Sequence, residues 1–271
     1  MVRLLFYLSF FVRVKSLLYD KPIFITGANS KLGQRVINKL NMRGVKLKCL
    51  VRNTQKAERL FQNMDNVELV EGDILEYDYL KNIMKECEMS VNLHSVNRVS
   101  NPFRRHNHNH NYDIITNSLD KNHPFYVNYI GMKNIIKSCK ENNINKLIRT
   151  TDRATALAPY HPTSLLLDSF HSDQIFWHRH SENDIISSGL VYTIIRPGGI
   201  HNKDYDAVEL EHEIAKGPTK IGINNLADVI VRTILPSENH IEPEFPFDNQ
   251  IIACHGYNTP IKKATLRFLH P

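Results

Sequence analysis

The residue types and spacing that point most directly to chemistry lie in a short turn near the start of the chain. A β-rich run, Pro22–Thr26, leads straight into this turn, and a segment with helical spacing, Gly33–Met42, follows it. A strand, a tight glycine turn and a helix N-terminus form a pyrophosphate site, because free N–H groups and the helix dipole face the anion. We therefore predict that the turn binds a dinucleotide. Its residues are Gly27, Asn29, Ser30, Lys31, Leu32 and Gly33.

The ends of the next two strands indicate which dinucleotide is bound. The strand Val45–Val51 is followed by Arg52, where NAD-binding folds carry a carboxylate for the ribose hydroxyl. A guanidinium at this position suits a 2′-phosphate, so the sequence favours NADP, with NAD as the alternative. Arg52 would also fit as a solvated charge at a strand end. After the third strand, Asp73 is placed to meet the adenine amino group and Ile74 to cover the ring, although Asp73 would also serve as a helix cap.

The elements that must position these residues alternate along the chain from about Lys21. Regular alternation of strand-like and helix-like segments predicts an α/β fold, with a parallel sheet covered by helices on both faces. The predicted strands are Pro22–Thr26, Val45–Val51, Val67–Val70, Ser90–His94, Ile144–Thr150, Val191–Ile195 and Ile251–Cys254. The predicted helices are Gly33–Met42, Gln55–Asn63, Tyr79–Cys87, Phe125–Asn142, Ser169–Ser187 and Leu226–Leu235.

Two segments interrupt or precede this alternation. Residues 1–20 form an apolar and basic segment, which is typical of a targeting signal or anchor and equally of a helix that packs on the domain. Residues 21–271 are predicted to form one NAD(P)-binding domain, into which residues 101–121 insert a loop rich in Asn and His.

The inserted loop carries alternate histidines that invite a metal-binding interpretation. Imidazoles are common metal ligands, and His106, His108 and His110 stand at every second position. A surface loop, however, lacks the fixed second layer of contacts that orients metal ligands. We therefore predict no metal site.

Composition excludes several other classes of protein. The 42% of hydrophobic and 23% of charged residues suit a globular chain and exclude a wholly disordered one. No apolar run approaches the roughly 20 residues of a membrane-spanning helix. The 34 basic and 28 acidic residues give a net charge of +6, which is too small and scattered to indicate nucleic-acid binding. The four cysteines are far apart, which predicts buried, reduced thiols rather than a zinc site or a disulfide scaffold.

The turn and the later strand ends resemble a known group. Thr26–Gly33 is similar to the TGATGxxG turn of the atypical short-chain dehydrogenase/reductases. Trp177–Glu182 and Ser188–Ile200 resemble the WKRKAE and SGxxYTIxRPGGL signatures of their NAD(P)-binding, NmrA-like members, near which the dehydrogenase-like subunit of the chloroplast inner-envelope translocon belongs. The resemblance covers about 21–235. It implies a doubly wound parallel Rossmann sheet with a small C-terminal substrate-side region, NADP binding and, in several relatives, residence in an organelle. It does not imply one shared reaction.

The chain departs from this group at the residues that do the chemistry. Enzymatic members use a Ser after the fifth strand and a Tyr and Lys on the next helix, where the Tyr supplies the proton. Here the strand ends in Thr151 and Asp152, Gln174 stands in the Tyr position and His178 in the Lys position. His178 would contact the ribose or move a proton near neutral pH, or would be a polar helix residue near the cleft.

Two more departures concern the bound cofactor. Ser30 replaces the middle Gly of the turn, so its Cβ would crowd the pyrophosphate while its hydroxyl would be able to donate to it. Arg196, Pro197 and Gly198 close the sixth strand, and in the family this loop borders the nicotinamide. A purely structural turn explains these three residues equally well.

Two functions follow from these observations. The first is an NADP(H)-binding oxidoreductase acting on an unknown small molecule, with His178, Thr151 and Asp152 as the candidate catalytic residues. The second is a non-catalytic protein that senses NADP(H) or serves in assembly with a protein partner. The oxidoreductase would have a small-molecule partner and the assembly protein a protein partner. The interpretation of the first 20 residues decides whether the protein is located in a plastid-like organelle or in the cytoplasm.

Overall fold

A computed structural model describes residues 19–96, 121–212, 219–235 and 247–258, together with the backbone of 267–268. The predictions for residues 1–18 and for the histidines at 106, 108 and 110 lie outside these described residues. None of the helices in the described residues is long and apolar enough to cross a membrane.

The first six strands of the sheet are parallel and form the order β3-β2-β1-β4-β5-β6, which is that of a doubly wound Rossmann fold. The order reverses between β1 and β4, and ligands in such sheets bind where the order reverses, at the carboxyl ends of the strands. The strands are β1 (Ile23–Thr26), β2 (Leu47–Val51), β3 (Val67–Glu71), β4 (Met89–Asn92), β5 (Lys146–Thr150) and β6 (Val191–Pro197). The predicted α/β class and parallel sheet are confirmed.

The C-terminal part of the chain extends the sheet beyond β6. The predicted last strand is present as β10 (Gln250–Tyr257) and pairs parallel to β6. The sequence analysis missed β8 (Ala207–His212), which pairs antiparallel to β10, and β11 (Arg267–Phe268), which pairs with β8. A separate two-stranded sheet joins β7 (Gly199–His201) and β9 (Lys220–Gly222).

The helices follow the predicted positions with two differences. Their bounds are α1 (Lys31–Asn41), α2 (Thr54–Phe61), α3 (Tyr77–Ile83), α4 (Gly131–Glu141), α5 (Pro162–Phe170), α6 (Gln174–Ile186) and α7 (Ile223–Ile234). The long predicted helix before α4 instead begins as a π-helical turn, Phe125–Ile130. The predicted helix Ser169–Ser187 is two helices, because Ser172 and Asp173 take left-handed backbone angles (φ 55° and 57°). The Asp168 carboxylate then accepts from the N–H groups of Ile175 and Phe176 and caps α6.

Alternate residues of the central strands fill two separate cores. Ile23 and Ile25 of β1 join the core under α1 and α7, whereas Phe24 joins the core under α3, α4 and α6. Both faces of the sheet are therefore covered, as parallel sheets require. All four cysteines are buried and unpaired, as predicted, and burial raises the pKa of Cys49 to about 12.

Candidate functional site

The turn after β1 is built around two positions where only glycine fits. Gly27 has φ +74°, and a Cβ there would lie 2.6 Å from the backbone nitrogen of His94, just after β4. A Cβ on Gly33 would lie 2.3 Å from the Gly27 carbonyl oxygen. These are backbone contacts that cannot move aside easily, so both glycines are needed for α1, β1 and β4 to meet at the point where the strand order reverses.

Ser30 is the N-cap of α1. Its Oγ accepts from the Gly33 N–H at 2.9 Å. The hydroxyl predicted to donate to the pyrophosphate therefore already stabilises the helix start. The first N–H groups of a helix have no carbonyl one turn back, so those of Lys31 and Leu32 can receive an anion.

The turn fits the pyrophosphate of a dinucleotide on two further observations. Neither Gly27 nor Gly33 places a side chain over the turn, and a Cβ at either position would overlap neighbouring backbone. In addition, Asn29 Oδ1 is buried and has no hydrogen-bond partner in the described part of the chain, so it remains able to accept from a ligand hydroxyl. These residues would hold the phosphates and the adjacent ribose.

The end of β2 presents Arg52 as predicted. Its guanidinium is exposed, and Nη1 donates to Asn122 Oδ1 at 2.7 Å. The neighbouring strand end carries a carboxylate, Glu71, which lies opposite Val51 in register. Thr54 donates two hydrogen bonds to Oε2 of that carboxylate, from its backbone N–H at 3.1 Å and from its hydroxyl at 2.6 Å. These bonds lower the pKa of Glu71. Among these groups, the Arg52 guanidinium carries the positive charge, and its contact with a phosphate stays a prediction.

Asp73 and Ile74 have clear structural roles after β3. Asp73 Oδ1 accepts from the Leu75 N–H at 3.0 Å and so shapes the turn before α3. The Ile74 side chain is buried in the core under α4, where a Cβ on Gly131 would approach its Cδ1 to 2.3 Å. The adenine contacts predicted for this pair stay a prediction.

At the carboxyl ends of β5 and β6, two of the predicted residues, Thr151 and Arg196, form hydrogen bonds with one buried carboxylate. Glu182 on α6 is 1% exposed and pairs with the Arg196 guanidinium, through Nη2 to Oε2 at 2.7 Å and Nε to Oε1 at 3.2 Å. Thr151 and Thr155 donate their hydroxyls to Oε1 at 2.5 and 3.0 Å. The guanidinium of Arg196 is thus used to join β6 to α6, which is the structural interpretation of this turn.

The neighbouring predicted residues support the same loop geometry. Asp152 Oδ1 accepts from the Ala154 N–H at 2.7 Å, and burial raises the pKa of its carboxyl. Pro197 ends β6, and the Gly198 N–H donates to the Cys254 carbonyl at 3.0 Å. A Cβ on Gly198 would lie 2.6 Å from Thr219 Oγ1, so this position also needs glycine.

His178 lies one helical turn before Glu182 and is 1% exposed. Its Nε2 is 3.2 Å from Ser95 Oγ and 3.5 Å from Asn128 Nδ2, whereas its Nδ1 has no hydrogen-bond partner among the described residues. Burial, assisted by the positive charge of Arg149, holds the pKa of His178 well below its ordinary value. The imidazole is therefore neutral at pH 7 and can act as a hydrogen-bonding group.

This lowered pKa predicts a pH dependence of stability. Below about pH 6.5 the unfolded chain protonates the imidazole while the folded chain does not, so the free energy of unfolding should fall by about 1.4 kcal/mol per pH unit for this histidine. His178→Gln should lose this contribution, while that of His94, whose pKa burial also lowers, remains. Urea unfolding from about pH 7.5 down to about pH 5 measures the slope. Equal slopes for wild type and variant would contradict the prediction.

The sequence analysis missed several residues that the structure brings to this site. Asn128 is fully buried on the π-helical turn and bonds the backbone of Val96 through both ends of its amide. Its π-helical turn has no strong signal in the sequence. Arg149 is also fully buried, and here a signal existed, because a charged residue inside a predicted buried strand is an anomaly.

Comparisons with known proteins agree with this geometry. A family described as NAD(P)H-binding matches residues 27–235. An uncharacterised chloroplastic protein of Arabidopsis thaliana is 26% identical over 225 residues, which cover 81% of this chain and 74% of the relative. The chloroplastic protein TIC 62 of Oryza sativa subsp. japonica is 24% identical over 208 residues, which cover 74% of this chain but 39% of the relative.

A solved structure supports the fold. A short-chain dehydrogenase/reductase from Veillonella parvula, solved in complex with NADP, has a TM-score of 0.63 and 17% identity, and the match covers 90% of this chain and 98% of that one. With the glycine turn, the strand order and the family match in agreement, the chain belongs to the NAD(P)H-binding family and has a Rossmann fold.

Proposed function

We propose that this chain binds NADP(H) in preference to NAD(H) and reduces a small molecule with it. The observation that carries the preference is the exposed guanidinium of Arg52, which donates through Nη1 to the neutral amide of Asn122, while the carboxylate at the neighbouring strand end, Glu71, accepts from Thr54. NADP in the Veillonella relative supports the same choice. Bound NADPH would supply a hydride, the turn from Gly27 to Gly33 would hold its pyrophosphate, and Arg52 its 2′-phosphate.

The preference for NADPH is tested by reversing the charge at the end of β2. Arg52→Glu should weaken NADPH binding about 10- to 100-fold and leave NADH binding within about threefold, because a charge-assisted bond to phosphate contributes about 1.5–3 kcal/mol. Fluorescence titration with both nucleotides measures this. Arg43→Glu is the matched control, since Arg43 is also exposed and its guanidinium donates to the Lys39 carbonyl at the far end of α1. Equal losses for both nucleotides, or for both variants, would contradict the assignment.

A non-catalytic NADP(H) sensor or assembly protein is the second candidate. It is favoured by the hydrogen bond of Thr151, which stands in the position of the family's serine. The Thr151 hydroxyl donates to Glu182 instead of pointing into an open site. A test panel of aldehydes, quinones and imines distinguishes the two. An oxidoreductase consumes bound NADPH with at least one class, whereas a sensor binds NADPH and consumes none. The chloroplastic names of the two relatives support residence in a plastid under either function.

A further inference from the structure

Arg149 is the largest polar side chain that the described structure buries completely. It lies on β5, opposite Asn92 of β4 in register, on the face of the sheet that α4 and α6 cover. A charged group in such a place costs several kcal/mol unless it is paired and hydrogen-bonded. The cost of burying Arg149 therefore depends on which groups pair with its guanidinium.

One side of the guanidinium is bonded and the other is not. Nη1 donates to the His94 carbonyl at 2.6 Å and lies 3.5 Å from that of Asn92. Nε and Nη2 have no hydrogen-bond partner among the described residues. These two nitrogens form the edge of the guanidinium that presents parallel N–H groups, which is the edge that binds a carboxylate in a bidentate manner.

No carboxylate of the described chain occupies that edge. The acid whose charge acts on Arg149 is Glu182. Its oxygens already pair with Arg196 and accept from Thr151 and Thr155. Burial lowers the pKa of Arg149 to about 9, so the guanidinium keeps its proton and its positive charge at pH 7.

A second buried group near Arg149 also has one nitrogen without a partner among the described residues. His178 Nδ1 has no partner in the described residues, and the charge of Arg149 acts on both His178 and His94. All three residues lie beyond or at the carboxyl ends of β4 and β5, beside the point where the strand order reverses. A neutral imidazole there can donate one further hydrogen bond to an anion.

We propose that the Nε and Nη2 edge of Arg149 binds the carboxylate of a small acidic substrate, with His178 as a second polar contact. This inference rests on the proposed function, because it places the acid beside the dinucleotide. Binding replaces unsatisfied buried donors with a charge-assisted bidentate pair, which is the strongest neutralisation this group can obtain. Because Arg149 is fully shielded in the chain alone, the anionic group that reaches it must be small.

Acetate is therefore the first probe, and acetamide, which has the same shape but no charge, is its control. Thermal shift at constant ionic strength, with and without NADPH, measures binding, because a ligand of the native state raises the melting temperature by mass action. We expect a saturable shift with acetate and at least a tenfold weaker effect of acetamide. Equal responses to the two, or no saturable response to acetate up to about 0.1 M, would overturn the inference.

Variants locate the site. Arg149→Met and Arg149→Lys should each lose the acetate response, since the lysine keeps the charge but not the two parallel donors. Arg179→Met is the matched control and should keep the response, because the Arg179 guanidinium already donates to the carbonyls of Thr155 and Leu157 through Nε and Nη2. An acetate response that survives in Arg149→Met and Arg149→Lys would overturn the proposal.

The same proteins separate this inference from the proposed function. NADPH titration of wild type tests the dinucleotide site, and acetate binding without NADPH tests Arg149 alone. Arg149→Met should keep its NADPH affinity within about threefold. If it instead loses NADPH affinity about tenfold together with acetate, the free edge binds the dinucleotide and the substrate assignment is overturned.

Discussion

Replacing Gly27 by alanine should lower the affinity for NADPH by at least about 100-fold. The backbone at Gly27 has φ +74°, which costs an L-residue about 1–2 kcal/mol. Beyond that strain, the new Cβ would lie 2.6 Å from the nitrogen of His94 and from the carbonyl carbon of Leu93. Both atoms belong to the backbone that follows β4, so β1 and β4 would have to separate at the proposed pyrophosphate site.

The chain offers a matched control for this variant in Gly44. Its φ is +71°, nearly that of Gly27, but a Cβ there meets no atom within 4 Å. Gly44→Ala should therefore show the cost of the backbone angle alone, about 1–2 kcal/mol of stability, with unchanged NADPH affinity. Urea unfolding and fluorescence titration of both variants separate strain from lost space. If Gly27→Ala bound NADPH as Gly44→Ala does, the turn would not be the pyrophosphate site.

The central fold was predictable because its signals are local. The glycine turn after Pro22–Thr26 and the alternation of short apolar runs with helical segments need no long-range information. Turn chemistry also placed Gly27 and Gly33 correctly, because a left-handed angle and a close backbone approach both require a residue without a Cβ.

The missed features depend on partners far away in the chain. β8 is a short strand whose pairing with β10 spans about 45 residues, and the break between α5 and α6 depends on how Asp168 caps the second helix. The role of Ser30 as a helix cap was predictable from its position before α1, although only a contact with the pyrophosphate was predicted.

In the candidate site, too, features with local signals were predicted and features that depend on distant partners were missed. Residues on the turn and at strand ends were placed by their spacing, whereas Glu182 was quoted only as part of a signature. Its role depends on contacts with Thr151 and Arg196, which lie 31 and 14 residues away. Spacing alone cannot show which carboxylate receives a given guanidinium, so Arg196 was assigned to the cofactor rather than to this acid.

The Glu182 contacts lead to the largest predicted effect on stability. Glu182→Ala should lower the free energy of unfolding by about 3–5 kcal/mol, because it leaves the Arg196 guanidinium buried without its carboxylate. Arg196 and Glu182 are 9% and 1% exposed, so little water can replace the lost acid. Urea unfolding at about pH 7, with the linear extrapolation, gives the difference directly.

A more exposed ion pair of similar length is the control that tests whether burial, rather than the ion pair itself, causes this loss of stability. Lys39 and Asp228 lie 2.6 Å apart, against 2.7 Å for Arg196 and Glu182, but their side chains are 29% and 51% exposed. Asp228→Ala should therefore cost less than about 1 kcal/mol. The double variant Glu182→Met with Arg196→Met should regain most of the stability lost in Glu182→Ala, because an apolar pair leaves no charge unpaired. If the double variant were instead no more stable than Glu182→Ala, the uncompensated charge of Arg196 would not be the cause of the lost stability.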